Sequence, residues 1–74
     1  MSASTDPRFL FGKRLRELRH QRGLTQEELA DLAHLHRNYI GGVERGERNI
    51  SLINIVELTQ ALSVKPAERL RNIT

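Results

Sequence analysis

A chain of 74 residues without cysteine has room for one compact domain, and neither disulfides nor a thiolate zinc site can support its small core. Twelve Lys and Arg against nine Asp and Glu give a net charge of +3 and a pI near 10.2, a balance that suits a polyanionic partner and equally a solvated basic surface. No apolar run approaches the roughly 18 residues of a membrane span and the N-terminus lacks a signal peptide's apolar stretch, so a cytoplasmic, nucleoid-associated protein is expected.

Residues 1–5 are small and polar and are expected to form a mobile tail, with the folded domain over residues 6–74. Asp6-Pro7 opens the first helix, because Asp is a good N-cap and Pro is favoured at the first helical position. Phe11, Leu15 and Leu18 recur on one face, Lys13, Arg14, Arg16 and Arg19 cover much of the rest, and Gly23 stops the helix, giving a range of roughly 7 to 22. Thr25 and Glu28 form a capping box for a second helix whose buried side is Leu29, Leu32 and Ala33. His34-Leu35-His36 is a tight turn. A third helix starts at Arg37 and carries Ile40 and Val43 inward until Gly46 ends it. Ser51 caps a fourth helix, the most apolar of the set through Leu52, Ile55, Val56, Leu58 and Leu62. Pro66 starts a short fifth helix carrying Leu70 and Ile73. The pattern predicts an all-α fold of five helices, with no strand pattern and no repeat.

Three segments carry a resemblance: Thr25-Gln26-Glu27-Glu28-Leu29-Ala30, then Tyr39-Ile40, then Val43-Glu44-Arg45-Gly46. They resemble the Xre/Cro/repressor-type helix-turn-helix family, and the likeness covers about residues 9 to 71. Within that family, Leu35-His36-Arg37-Asn38-Tyr39-Ile40, continuing to Glu44-Arg45-Gly46-Glu47-Arg48-Asn49-Ile50-Ser51, is most similar to the controller proteins of restriction-modification systems. The resemblance implies a lambda-repressor-like DNA-binding domain whose second and third helices form the helix-turn-helix. It further implies a transcriptional regulator that acts as a homodimer on a palindromic operator in double-stranded DNA, with RNA polymerase as a further partner and no cofactor.

In this fold the second helix of the motif enters the major groove, which makes the third helix the reader. The resemblance places base contacts at Arg37 and Asn38, whose side chains suit guanine O6 and N7 and adenine N6 and N7 respectively. Both are also ordinary exposed polar residues early in a helix. Gly41 and Gly42 interrupt the reading edge at a cost of roughly 1 kcal/mol each relative to alanine. Either they let the helix approach the groove closely, with Gly42 at a position from which many relatives contact a base, or the packing tolerates them. Thr25 and Gln26 at the start of the second helix match a phosphate grip, and Thr25 is also a simple cap. Tyr39, Arg45, Arg48 and Asn49 are the other expected DNA-backbone contacts, Tyr39 being equally a core aromatic with its hydroxyl at the surface.

Arg19 and Glu44 match positions where the family forms a buried ion pair between the first helix and the end of the third. Lys13, Arg14 and Arg16 remain candidates for a phosphate-binding stripe. Ile53, Val64, Leu70 and Ile73 are the expected dimer interface, because the last helices carry more apolar side chains than so small a domain covers. His34 stands where the motif usually has a glycine with positive φ, a conformation that histidine tolerates better than most residues. A metal site at His34 and His36 is rejected for want of a third ligand. An enzyme is rejected because the sequence has no cysteine, phosphate loop or HExxH motif, and no paired carboxylates outside a capping box. The surviving alternative is a protein-interaction module, such as an antitoxin or coactivator, on the same fold.

Overall fold

The computed structural model describes residues 6–63; the expected tail over residues 1–5, the expected fifth helix from Pro66, and Val64, Leu70 and Ile73 lie outside the described residues. Among the described residues the fold is all-α, with four helices: α1 (Pro7–Gln21), α2 (Gln26–Ala33), α3 (Arg37–Glu44) and α4 (Leu52–Ser63).

Each helix begins where a side chain satisfies a backbone N–H that the helix leaves without a partner. Asp6 Oδ1 accepts from the Arg8 N–H at 2.9 Å, and the Arg8 guanidinium closes on the same carboxylate at 3.0 Å. That guanidinium, and then the backbone N–H, hold the Asp6 carboxyl below the usual carboxylate range. The cap therefore contributes above the ordinary carboxylate pKa and fades as pH falls through the lowered value. At α2 the capping box is complete: Thr25 Oγ1 accepts from the Glu28 N–H at 3.0 Å, and Glu28 Oε1 accepts from the Thr25 N–H at 2.9 Å. Ser51 caps α4 through the Asn54 N–H at 3.1 Å. The cap of α3 is His36, whose Nδ1 accepts from the Asn38 N–H at 3.0 Å. Past the helix ends, Gly23, His34 and Gly46 take φ values of 68°, 60° and 77°, the left-handed conformation that turns a chain out of a helix.

Leu29, Ile40, Val43 and Leu58 are the largest fully buried side chains, joined by Leu15, Leu24, Ala30, Ala33, Ala61 and Leu62. Burying one of the larger aliphatic side chains contributes about 2 kcal/mol, so this cluster dominates the stabilisation of so small a domain. α2 packs on both α3 and α4, while α1 crosses α3. The crossing is close because Gly12 is buried against the backbone carbonyls of Val43 and Glu44. A hydrogen bond of 2.6 Å from Arg22 Nε to the Leu62 carbonyl ties the end of α1 to α4. Toward the core α4 turns Leu58, Ala61 and Leu62, whereas Leu52, Ile53 and Val56 stay 76%, 72% and 47% exposed. Among the described residues no helix is long and apolar enough to cross a membrane.

Candidate nucleic-acid interface

α2 and α3 are joined by the turn at His34, which sets the two N-termini on neighbouring parts of the surface. Arg37 and Asn38 are exposed in the first turn of α3. Arg37 lines the same shallow depression as Thr25 and Gln26 at the start of α2. Among the described residues Arg37 forms no salt bridge. A guanidinium, an amide side chain and the backbone N–H groups of a helix start thus lie together, a combination suited to phosphate and base edges.

Behind this edge lies a buried polar brace. Arg19 Nε meets Glu44 Oε2 at 2.6 Å and Arg19 Nη2 meets Glu44 Oε1 at 3.0 Å, a two-pronged pairing that fixes both planes. The Arg19 and Glu44 residues retain only 7% and 9% of their exposure. Arg19 Nη1 also donates to the Leu24 carbonyl at 2.9 Å. Gln26 Nε2 donates to Glu44 Oε1 at 3.0 Å, which links the start of α2 to the end of α3. The half-buried Gln26 is therefore anchored by one side-chain N–H while its backbone stays at the helix start.

On the other flank Tyr39 is half-buried, its hydroxyl accepting from Asn54 Nδ2 at 3.1 Å and donating to the Asn49 carbonyl at 3.4 Å. The centre of the Arg48 guanidinium lies 5.7 Å from the Tyr39 ring centroid, within cation–π range. Arg45 pairs with Glu47 at 3.1 Å, both side chains more than half exposed, and such a pair contributes about 1 kcal/mol or less. Arg45, Arg48 and Asn49 are exposed, but Gly41 and Gly42, expected on the open reading edge, are buried. A Cβ at Gly41 would lie 3.1 Å from Arg45 Nη1, and one at Gly42 would lie 3.0 Å from Arg48 Cγ. The space left by the glycines is filled by arginine arms of the same chain.

Ile53 stands exposed on α4, and Leu52 and Val56 extend the same apolar surface. Sequence reasoning did not single those two out for an interface. Their positions one residue before and three after Ile53 put them on its side of the helix, which marks them only once Ile53 itself is placed at an interface. Among the described residues no group of three His, Cys, Asp or Glu is placed to hold a metal ion.

A capped helix, a left-handed turn residue and a second helix with an exposed polar start define a helix-turn-helix protein. Residues 15–69 match the family described as helix-turn-helix. The control protein C.BamHI of Bacillus amyloliquefaciens is 45% identical over 64 residues, covering 85% of this chain and 79% of its own length. The solved restriction-modification controller protein C.AhdI from Aeromonas hydrophila superposes with a TM-score of 0.75 at 57% identity, over 82% of this chain and 92% of that one. The controller protein C.Esp1396I, solved as a tetramer with its natural 35 base-pair operator, superposes with a TM-score of 0.72 at 28% identity, over 88% of this chain and 86% of that one. The chain belongs to the helix-turn-helix family and is a DNA-binding transcriptional regulator homologous to the controller proteins of restriction-modification systems.

Proposed function

We propose that two copies of the chain pair through α4 and bind a two-fold operator, each inserting α3 into a major groove, to control a restriction-modification operon or one organised like it. The observation that carries this reading is the grouping of Arg37, Thr25 and Gln26 around one depression, with Asn38 exposed beside Arg37. Arg37 and Asn38 supply base contacts. Thr25, Gln26, Tyr39, Arg45, Arg48 and Asn49 supply contacts to the DNA backbone, and the Arg19–Glu44 pair holds α3 in its reading orientation. The protein acts in the cytoplasm, and RNA polymerase is the further partner wherever an operator adjoins a promoter.

Exposed Leu52, Ile53 and Val56 support pairing of two copies, since a second copy of the same face is the commonest cover for such a patch. Sedimentation at micromolar concentration is expected to give twice the 8.5 kDa chain mass. Footprinting is expected to show two half-sites about one helical turn, roughly 34 Å, apart. A monomer bound to a single unrepeated site would overturn the two-fold arrangement.

Selection of bound duplexes from a random pool identifies the operator and makes the reading edge testable. Arg37→Ala is expected to weaken binding to the selected duplex by about 1 to 3 kcal/mol and to relax preference at one position of each half-site. Random DNA is expected to lose much less. Equal losses on both duplexes would make Arg37 a backbone contact instead.

A further inference from the structure

We infer that Gly42 is a positioning residue for DNA binding: its missing side chain forms a seat on α3 for the arm of Arg48, which holds the Arg48 guanidinium over Tyr39. A Cβ at Gly42 would lie 3.0 Å from Cγ, 3.3 Å from Cδ and 3.2 Å from Nε of Arg48. These are successive atoms, so the arm runs across the glycine along its length instead of touching it with a mobile tip. The connector is fastened at the same place, the Glu47 N–H donating to the Gly42 carbonyl at 2.9 Å just before Arg48. At its far end the guanidinium meets the Tyr39 ring, which Asn54 and the Asn49 carbonyl hold by its hydroxyl.

The backbone does not call for glycine at this point, because positive φ among the glycines occurs only at Gly23 and Gly46. Alanine would be the better helix former. What glycine supplies is room. Among the described residues Arg48 forms no salt bridge, and its arm is confined between Gly42 and Tyr39. A long arginine arm gives up rotamer freedom when it grips a ligand, and confinement beforehand removes part of that loss. The inference rests on the proposed contact of Arg48 with DNA phosphate.

Its test is a double-mutant cycle of Gly42→Ala and Arg48→Ala, titrated over a salt series on the selected operator and on a random duplex, at a temperature where all four proteins are folded. Gly42→Ala is expected to melt no lower than the parent, because the helix gains a better former. It is expected nevertheless to bind both duplexes on the order of threefold more weakly. Arg48→Ala is expected to weaken both on the order of tenfold and to lower the slope of log affinity against log salt by about one per contact. In the Arg48→Ala background the alanine at position 42 is expected to change binding no further. A Gly42→Ala loss of equal size in both backgrounds would mean that the methyl group meets DNA directly, which overturns the seat. Parent-like binding by Gly42→Ala beside a weakened Arg48→Ala would overturn the seat alone. Unchanged affinity and salt slope in Arg48→Ala would remove the phosphate contact and the positioning role with it.

Discussion

Replacing Glu44 with alanine is expected to lower folding stability by about 3 to 5 kcal/mol, although Glu44 lies on the packed side of α3. The size follows from what the substitution leaves behind. Arg19 would keep its charge in a site where it retains only 7% exposure, with the Leu24 carbonyl as its sole hydrogen-bond acceptor among the described residues. Gln26 would lose the acceptor that ties α2 to α3. Against the total stability of a domain this size, about 4 to 11 kcal/mol, the loss is a large fraction. Thermal and denaturant unfolding measure it directly, and operator affinity is expected to fall as α3 loses its brace. Glu44→Gln, which keeps the shape and an acceptor but not the charge, is expected to fall between the parent and Glu44→Ala. If Glu44→Ala unfolds at the parent's midpoint, the pair does not brace the reader helix. Replacing both partners by apolar residues of similar volume tests the same point from the other side, since removal of a whole buried pair is often close to neutral.

The second large effect is expected at Gly12. A Cβ there would stand 2.7 Å from the Glu44 carbonyl oxygen and closer still to that of Val43. Both obstacles are backbone, so no side chain can swing aside. Alanine in mid-helix gains about 1 kcal/mol over glycine. Overpacking of this kind costs about 1 to 3 kcal/mol, and the rigid opponents put the cost at the upper end. Gly12→Ala is therefore expected to destabilise by about 2 kcal/mol net, and Gly12→Val more. Gly42→Ala makes the natural control, because the atoms it meets belong to a side chain, which can be displaced from its seat, and not to backbone. A melting temperature for Gly12→Ala at or above the parent's would show that α1 and α3 separate without penalty at this crossing.

What the sequence determined by itself lies where the decisive interaction is local. Caps act over two or three residues, so Asp6, Thr25 with Glu28, and Ser51 announce the starts of α1, α2 and α4. Gly23 and Gly46 mark the exits from α1 and α3, and His34 in the glycine position of the turn adopts the left-handed conformation that the motif needs. Helical periodicity likewise marked Leu15, Leu29, Ile40 and Val43 as core. The motif around these residues was enough to indicate the family.

Tertiary structure decided the rest, because those outcomes depend on groups far apart in the chain. The α1 pattern does not show that Gly12 must meet the carbonyls of Val43 and Glu44. The hydrogen bond from Gln26 to Glu44 joins two helices across 18 positions, and only folding brings its ends together. On a helical wheel Gly41 and Gly42 form an open edge of α3, since the wheel contains no information about the Gln26 side chain of α2 that reaches Gly41 beside Arg45, or about Arg48, which returns from the connector to cover Gly42. α4 is the clearest case. Its apolar residues ring the helix on more than one side, so periodicity cannot choose between Leu58, Ala61 and Leu62 on one face and Leu52, Ile53 and Val56 on the other. Packing of α2 against α4 made that choice: one apolar face was buried in the core, and the other was left exposed to water.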